Sequence, residues 1–392
     1  MQISEVAIGK IATITMGTSP KGETYNNEGI GMPLLNGPTE FGLIYPTCTL
    51  FTTDSKKDCK KDDLIFCVRG STTGRMNWAD RQYSLGRGVC SIRGTTPMDT
   101  KYIRYCIELK LGALLKLSGG ATFPNLTGND ISTFSIPYPP HRHKIASILS
   151  AYDDLIENNT RRIKILEEMA QALYREWFVN FRFPGHEKAK MVESELGVVP
   201  DKWEVKRLGD IANINESSIK KGCEPEGINY IDIASVSTGH IDKVEYLAYA
   251  YAPSRARRVV KHGDIIWSTV RPNRKSYTVI LNPPLNLIVS TGFAVITAKH
   301  APYTYLYHAL TTDDFVGYLI NHTSGAAYPA VNSGDFENAL VFHPPDALIE
   351  SYHTIVRDLF EHKQILEQKN LNLSRTRDLL LPKLISGEID TG

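Results

Sequence analysis

Two stretches of the chain gather side chains suited to gripping an anion and reading the edge of a base. Residues 67–93 carry Arg69, Arg75, Arg81, Arg87 and Arg93 against Asp80 alone, a local net of +4. Residues 253–275 carry Arg255, Arg257, Arg258, Lys261, Arg271, Arg274 and Lys275 against Asp264 alone, a net of +6. Amides and aromatics are interleaved: Asn77, Trp78, Tyr83, Trp267, Asn273 and Tyr277. Arginine can pair with both acceptors of guanine, asparagine can pair with adenine, and either cation can neutralise phosphate. One such run would be as well explained by a solvated face; its recurrence is what favours nucleic acid. Two small-residue turns, Ser118-Gly119-Gly120-Ala121-Thr122 and Thr323-Ser324-Gly325-Ala326-Ala327, could bring backbone amides close to phosphates, or could be ordinary glycine turns. Neither has the G-K-[ST] of a P-loop or a G-x-G-x-x-G after a strand.

Signals for catalysis fail on inspection. Asn282-Pro283-Pro284-Leu285 is similar to the motif with which amino-methyltransferases hold a flipped base, but Leu285 stands where an aromatic must stack. No glycine-rich methyl-donor loop lies upstream, so a hairpin turn is expected. Asp201 with Glu204 and Lys206 has the letters of a metal-dependent nuclease, yet residues so close in sequence cannot easily bring both carboxylates to one metal ion. The segment VVPDKWEVKRLGDIA reads instead as a strand and a turn. Of the 11 histidines, His141 and His143 flank Arg142 at a helix start, and no H-E-x-x-H or G-x-S-x-G occurs. The six cysteines (Cys48, Cys59, Cys67, Cys90, Cys106 and Cys223) form no C-x-x-C pair or zinc spacing. They read as buried small hydrophobes in a reducing cytoplasm. No catalytic residue, metal or cofactor is expected in this chain.

The frame that must hold these residues is an ordinary folded one. The chain has 392 residues, of which 42% are apolar and 22% charged, which excludes a disordered or collagen-like protein. Two or three domains are expected at this length. No apolar run reaches the roughly 18 residues of a membrane span, and MQISEVAIGK lacks the features of a signal peptide. Lys plus Arg number 44 against 43 Asp plus Glu, a net of +1. That sum alone argues against nucleic acid, and the local clusters reverse it.

A tandem repeat organises the chain. IGKIATI (8–14) returns as LGDIANI (208–214), and KKDDLIF (60–66) as KHGDIIW (261–267). GATFPNLTGNDIS (120–132) returns as GAAYPAVNSGDFE (325–337), and IPYPP (136–140) as VFHPP (341–345), both at a shift of 205. Each copy reads as short strands and turns with one helix, near 101–117 and near 303–321. A long helical segment follows each Pro-Pro pair. Ile145, Leu149, Tyr152, Ile156, Asn159, Ile163, Leu166, Ala170, Leu173 and Trp177 step by fours and threes, a heptad seam. Tyr352, Val356, Leu359, Leu366, Leu373 and Leu380 match them, with polar Lys363, Asn370 and Arg377 between. Each stripe needs a partner, and antiparallel pairing of the two helices is the simplest solution. Asn159 would help fix the register, Pro382 would interrupt the last turns, and Gly387 would cap them. A helix over 141–178 would measure about 57 Å, a spacer suited to two half-sites on DNA.

With these residues in order, the chain resembles a specificity subunit of a type I restriction–modification system. The resemblance rests on KKDDLIFCVRGSTTG, HGDIIWSTVRPNRK, LGVVPDKWEVKRLGDIA and the two helices, and it covers essentially the whole chain. It implies an α+β fold with two tandem mixed α/β target-recognition domains, joined by two long antiparallel coiled-coil helices with pseudo-twofold symmetry. The boundaries expected are 1–140 and 181–345 for the domains, and 141–180 and 346–392 for the helices. It implies a non-catalytic cytoplasmic protein that reads a bipartite target in double-stranded DNA. Its partners would be methyltransferase (modification) subunits and restriction (translocase–nuclease) subunits, which would use S-adenosylmethionine, ATP and Mg. The DNA-binding residues carried over or adjoining are Arg69, Gly70, Ser71, Thr72, Thr73, Arg75, Asn77, Arg87 and Thr122 in the first copy. In the second they are Thr269, Arg271, Asn273, Arg274, Lys275 and Tyr328. The alternatives are a coiled-coil scaffold without a DNA role, or a DNA methyltransferase in its own right.

Overall fold

The computed structural model describes residues 4–118, 124–325 and 328–389. The chain folds into two compact units, Met1–Arg161 with Gln368–Gly392, and Arg162–Glu367. Each contains one mixed domain and a part of both long helices.

In the first unit the strand Leu64–Cys67 is buried on both faces. Leu64 and Phe66 enter one core with Ile8, Ile92, Tyr102 and Ile103, while Ile65 and Cys67 join Leu35, Tyr83, Leu85 and Val89 on the other side. This is the period-two alternation of a strand, made wholly apolar because both sides are covered. The strand lies in an antiparallel sheet of order Ala12–Met16, Val89–Gly94, Leu64–Cys67, Met76–Trp78. A second sheet runs Tyr25–Asn26, Phe51–Thr52, Met32–Leu35, Tyr83–Leu85, Asp58–Cys59, with its third and fourth strands parallel. Glu5–Ala7 pairs with Ser135–Pro137, closing the domain just before the long helix.

The second unit repeats this strand order, without a counterpart of Tyr25–Asn26. Its antiparallel sheet runs Ala212–Ile214, Phe293–Ala298, Ile265–Ser268, Tyr277–Val279. Ile265 and Trp267 enter one core and Ile266 the other, and Trp267 Nε1 donates to the Leu310 carbonyl at 3.0 Å. Its other sheet runs Glu245–Ala248, Gly227–Ile231, Leu287–Ser290, Ala256–Val259, again with one parallel pair, Gly227–Ile231 beside Leu287–Ser290. Glu204–Arg207 pairs with Leu340–His343, as the segment VVPDKWEVKRLGDIA suggested.

The single helix expected in each copy is two. Pro97–Leu109 is followed by Leu111–Leu115, and Tyr303–Ala309 by Asp313–Asn321. Capping accounts for the early start of the first helix and for the break in the second copy, whereas the break at Lys110 has no side-chain cap. Thr96 and Asp99 form a reciprocal capping box with Pro97 in the first turn, so that helix starts early. Thr312 accepts from the Phe315 amide and restarts the chain with two aspartates in the first turn. Further capping boxes, Thr127 with Asp130 and Asn332 with Asp335, add the short helices Gly128–Thr133 and Ser333–Glu337. Asp99 also receives Arg142 Nε at 2.9 Å and lies 2.8 Å from His143 Nε2, fastening the first domain to the long helix. Burial opposes its ionisation, but bonds from His143, Arg142 and Thr96 outweigh it and hold the pKa at about 2.

The central helix runs Arg142–Tyr174 and ends in a π turn, Arg175–Val179; the C-terminal helix runs Asp346–Ser386. They pair antiparallel. In the first unit Arg377 meets Asp153 at 2.5 Å and Asn370 meets Asn159 at 2.9 Å; in the second, Lys363 meets Glu167 at 2.5 Å. Along the seam Ile145, Leu149, Ala170, Trp177, Tyr352, Val356 and Leu366 are buried. Tyr152, Ile156, Ile163, Leu166, Leu173, Leu359, Leu373 and Leu380 are partly buried. Pro382 does not interrupt the C-terminal helix. Leu381 before it and Leu384 and Ile385 after it are packed in the first unit's core, and this burial offsets the backbone hydrogen bond that proline removes. Gly387 caps the end with φ 75°.

Candidate nucleic-acid interface

Each unit builds its candidate surface from a hairpin loop and a distant segment, 124–126 in the first and 328–331 in the second; most of the small-residue run 118–122 and residues 326–327 of the other lie outside the described residues. In the first, the loop 68–75 joins Leu64–Cys67 to Met76–Trp78. Arg69 bridges to Asn125, and the Leu126 amide donates to the Val68 carbonyl at 3.0 Å. In the second, the loop 269–276 joins Ile265–Ser268 to Tyr277–Val279. Val270 bridges to Ala330, and the Val331 amide donates to the Thr269 carbonyl at 2.9 Å. Segments that recur far apart in sequence thus meet in the same way twice.

The two loops share two left-handed positions, although Pro272–Arg274 forms a 3-10 turn that the first loop lacks. Superposing the hairpin strands in sequence places Gly70 on Arg271 and Gly74 on Lys275. All four are left-handed, with φ of 89° and 99° in the first loop and 52° and 53° in the second. Glycine adopts this conformation freely; arginine and lysine do so at a cost of roughly 1 kcal/mol or more. The 201-residue shift of the repeat pairs these positions, but Gly and Arg as letters give no sign of a common left-handed backbone.

Side chains of the first loop divide into posts and free groups. Thr73 Oγ1 donates to the Gly70 carbonyl at 2.8 Å and stands 3.0 Å from the Pro124 carbonyl, so it braces the loop. Thr72 is half-buried, near Cys67 Sγ at 3.9 Å. Arg69 and Ser71 are exposed. Arg75 is exposed with Nη1 3.4 Å from the Pro38 carbonyl, and Arg87 is exposed with Nε donating to Ser19 Oγ at 3.3 Å. Arg93 leaves the cluster, because it forms a two-point pair with the buried Asp63 at 2.5 and 2.6 Å. Asn77 also differs from expectation. Only 4% exposed, it turns its amide to the Gly42 carbonyl at 3.1 Å, so it is not presented at the surface. Its strand alternates, and the Asn77 side faces inward. Thr122 lies outside the described residues.

In the second loop Thr269 is the post, its hydroxyl donating to the Gly292 carbonyl at 2.9 Å. The Arg271 guanidinium lies 5.0 Å from the ring centroid of Tyr328, which is 71% exposed. Asn273 and Arg274 are exposed at the loop tip. Lys275 pairs with Asp313 at 2.7 Å, and Lys261 with Glu216 at 3.2 Å. Arg257 bonds the Tyr249 hydroxyl. Burial alone pushes the Arg258 pKa down. The local charge count therefore overstates what is free to meet an anion.

The catalytic decoys are structural. Asn282 (φ 43°) turns the chain, its amide donating to Gln364 Oε1 at 2.7 Å, while Leu285 is fully exposed. Lys206 pairs with Glu204 at 2.8 Å, and Asp201 accepts from the Lys190 amide at 3.3 Å. Among the described residues no group of His, Cys, Asp and Glu could hold a metal ion, and no helix is long and apolar enough to cross a membrane. The six cysteines are free thiols, with Cys59, Cys67, Cys90 and Cys106 buried.

Comparison with known proteins agrees with this architecture. The family model of the type I restriction modification DNA specificity domain matches residues 2–168 and again 200–373. The chain is 30% identical over 315 residues to the type I restriction enzyme MjaIX specificity subunit of Methanocaldococcus jannaschii, covering 76% of this chain and 71% of that protein. It is 24% identical over 365 residues to the HindI specificity subunit of Haemophilus influenzae, covering 74% of each. Its fold is similar to that of the type I restriction–modification S subunit from M. genitalium, with a TM-score of 0.62 at 18% identity over 98% of this chain and 96% of the other. A doubled family match, in register with two units of like strand order, means that the chain belongs to the type I restriction–modification specificity subunits.

Proposed function

We propose that each unit reads one half of a bipartite DNA target through its hairpin loop, 68–75 in the first and 269–276 in the second. The observation that carries this reading is that the two loops are anchored alike, with left-handed residues at the same two positions, and differ in side chains. One scaffold presenting different donors is what recognition of two different half-sites requires. Arg69, Ser71, Arg75 and Arg87 are the exposed donors of the first surface; Asn273 and Arg274 are those of the second, with the half-buried Arg271 beside them.

The long helices set the gap between half-sites and dock methyltransferase subunits. Support comes from apolar side chains that the seam leaves in solvent: Leu155, Ile165 and Met169 on the central helix, and Ile365, Leu371 and Leu379 on the C-terminal one. Where such groups join into a patch they suit protein–protein contact. The subunit is non-catalytic and works in the cytoplasm. Methylation of adenine and cleavage reside in modification and restriction subunits, which supply the S-adenosylmethionine, ATP and Mg chemistry.

Expression with a modification subunit, followed by mapping of methylated adenines, tests the reading. One bipartite motif is expected, and Arg271→Ala should relax one half of it. Equal losses in both halves would overturn the assignment, and no sequence-selective retention of DNA would favour a plain scaffold.

A further inference from the structure

The second loop places arginine and lysine at two left-handed positions where the first loop, equally long and likewise left-handed there, has glycine. Nothing in the backbone asks for a long side chain there, and the conformation disfavours one. Such a choice is understandable where the side chain itself is used. Lys275 already has a partner in Asp313. Arg271 differs: among the described residues its guanidinium has no hydrogen-bond acceptor, and it rests only on the Tyr328 ring.

From this we infer that Arg271 reads a guanine in the half-site of the second unit, with Tyr328 as its positioning residue. The inference rests on the DNA-reading role proposed above and names the base and the device. Guanidinium presents parallel N–H donors in one plane, and guanine presents N7 and O6 acceptors together in the major groove. Adenine sets a donor beside N7 and would oppose the same fork. A ring against the guanidinium supports it through cation–π attraction without using its N–H donors. The 2.8 Å bond from the Arg271 amide to the Pro329 carbonyl ties the two segments that carry the pair. Asn273 and Arg274 at the tip have no comparable support and suit phosphate contacts. The first unit has Gly70 at this position and cannot make the contact.

The test uses the full chain with its modification subunit, on duplexes built from the methylation site of the wild-type complex and varied one base pair at a time. Arg271→Gly should reduce discrimination at one G·C pair of one half-site by roughly tenfold to a hundredfold. Its thermal midpoint should stay the same or rise, because glycine relieves the left-handed strain. Tyr328→Phe should keep the discrimination and Tyr328→Leu should weaken it at that pair alone. The inference falls if Arg271→Gly leaves every position discriminated as before, or weakens methylation of all duplexes equally. It also falls if Tyr328→Phe fails as badly as Tyr328→Leu. A wild-type complex that selects no bipartite site would instead remove the reading beneath it.

Discussion

Asn159 of the central helix donates its side-chain amide to Oδ1 of Asn370 on the C-terminal helix at 2.9 Å. Asn370 turns its own amide toward Thr160 Oγ1 at 3.2 Å and the Ile156 carbonyl at 3.4 Å. Both lie on seams that are otherwise mostly apolar, so a shifted register would set these amides against aliphatic side chains. Asn159→Leu alone should cost about 1–2 kcal/mol by stranding Asn370. Replacing both by leucine should recover that loss and loosen the register. Urea unfolding of the singles and the double checks the order; a double variant weaker than either single would contradict it.

His308 is buried in the second unit, with Nδ1 2.8 Å from Tyr352 Oη and 3.1 Å from the Thr304 carbonyl. Burial pushes its pKa down to about 4. A folded pKa below the unfolded value of about 6.5 means that the unfolded chain takes up the proton first as pH falls. The stability contributed by neutral His308 should be whole above about pH 6.5 and lost by about pH 4, a change on the order of 3 kcal/mol. Thermal unfolding followed from pH 7 to 4.5 should show the decline, and His308→Gln should flatten it. An unchanged slope in that variant would place the acid sensitivity elsewhere.

Arg87, outside the first loop, and Arg274, at the tip of the second, are exposed cations. Arg87→Ala and Arg274→Ala should each weaken binding on every sequence and lower the salt slope by about one. Titrations of the complex with its modification subunit, on matched and mismatched duplexes at several salt concentrations, separate this from base reading. A loss confined to one base pair would make either residue a reader instead.

Gly70 has nothing within 4 Å of the place its side chain would occupy. Gly70→Arg should therefore fold, with a penalty of about 1–2 kcal/mol from its positive φ. It should alter the first half-site and leave the second unchanged. Methylated-adenine mapping checks the motif; an unaltered first half would mean that position 70 does not face the bases.

Much of this protein was legible in its letters. The paired motifs around Phe66 and Trp267, and the Pro-Pro segments before each long helix, imply two copies of one domain followed by a helix. Burial needs drive this inference: a heptad stripe from Ile145 to Trp177 must be covered, and a strand such as DLIFCV must be buried on both faces. Such requirements are local and periodic, so sequence carries them directly.

Tertiary structure alone decided which cations are free. Arg93 and Arg69 look alike in the sequence, yet one is spent on buried Asp63 and the other faces solvent. Asn77 has the right letter for reading adenine and the wrong side of its strand. Proline at 382 stays helical because distant residues pack on both sides of it. The left-handed kinship of Gly70 with Arg271 exists only as backbone angles. Each of these depends on partners far away in the chain, and a side chain's local preference does not encode what a distant segment will bring to it.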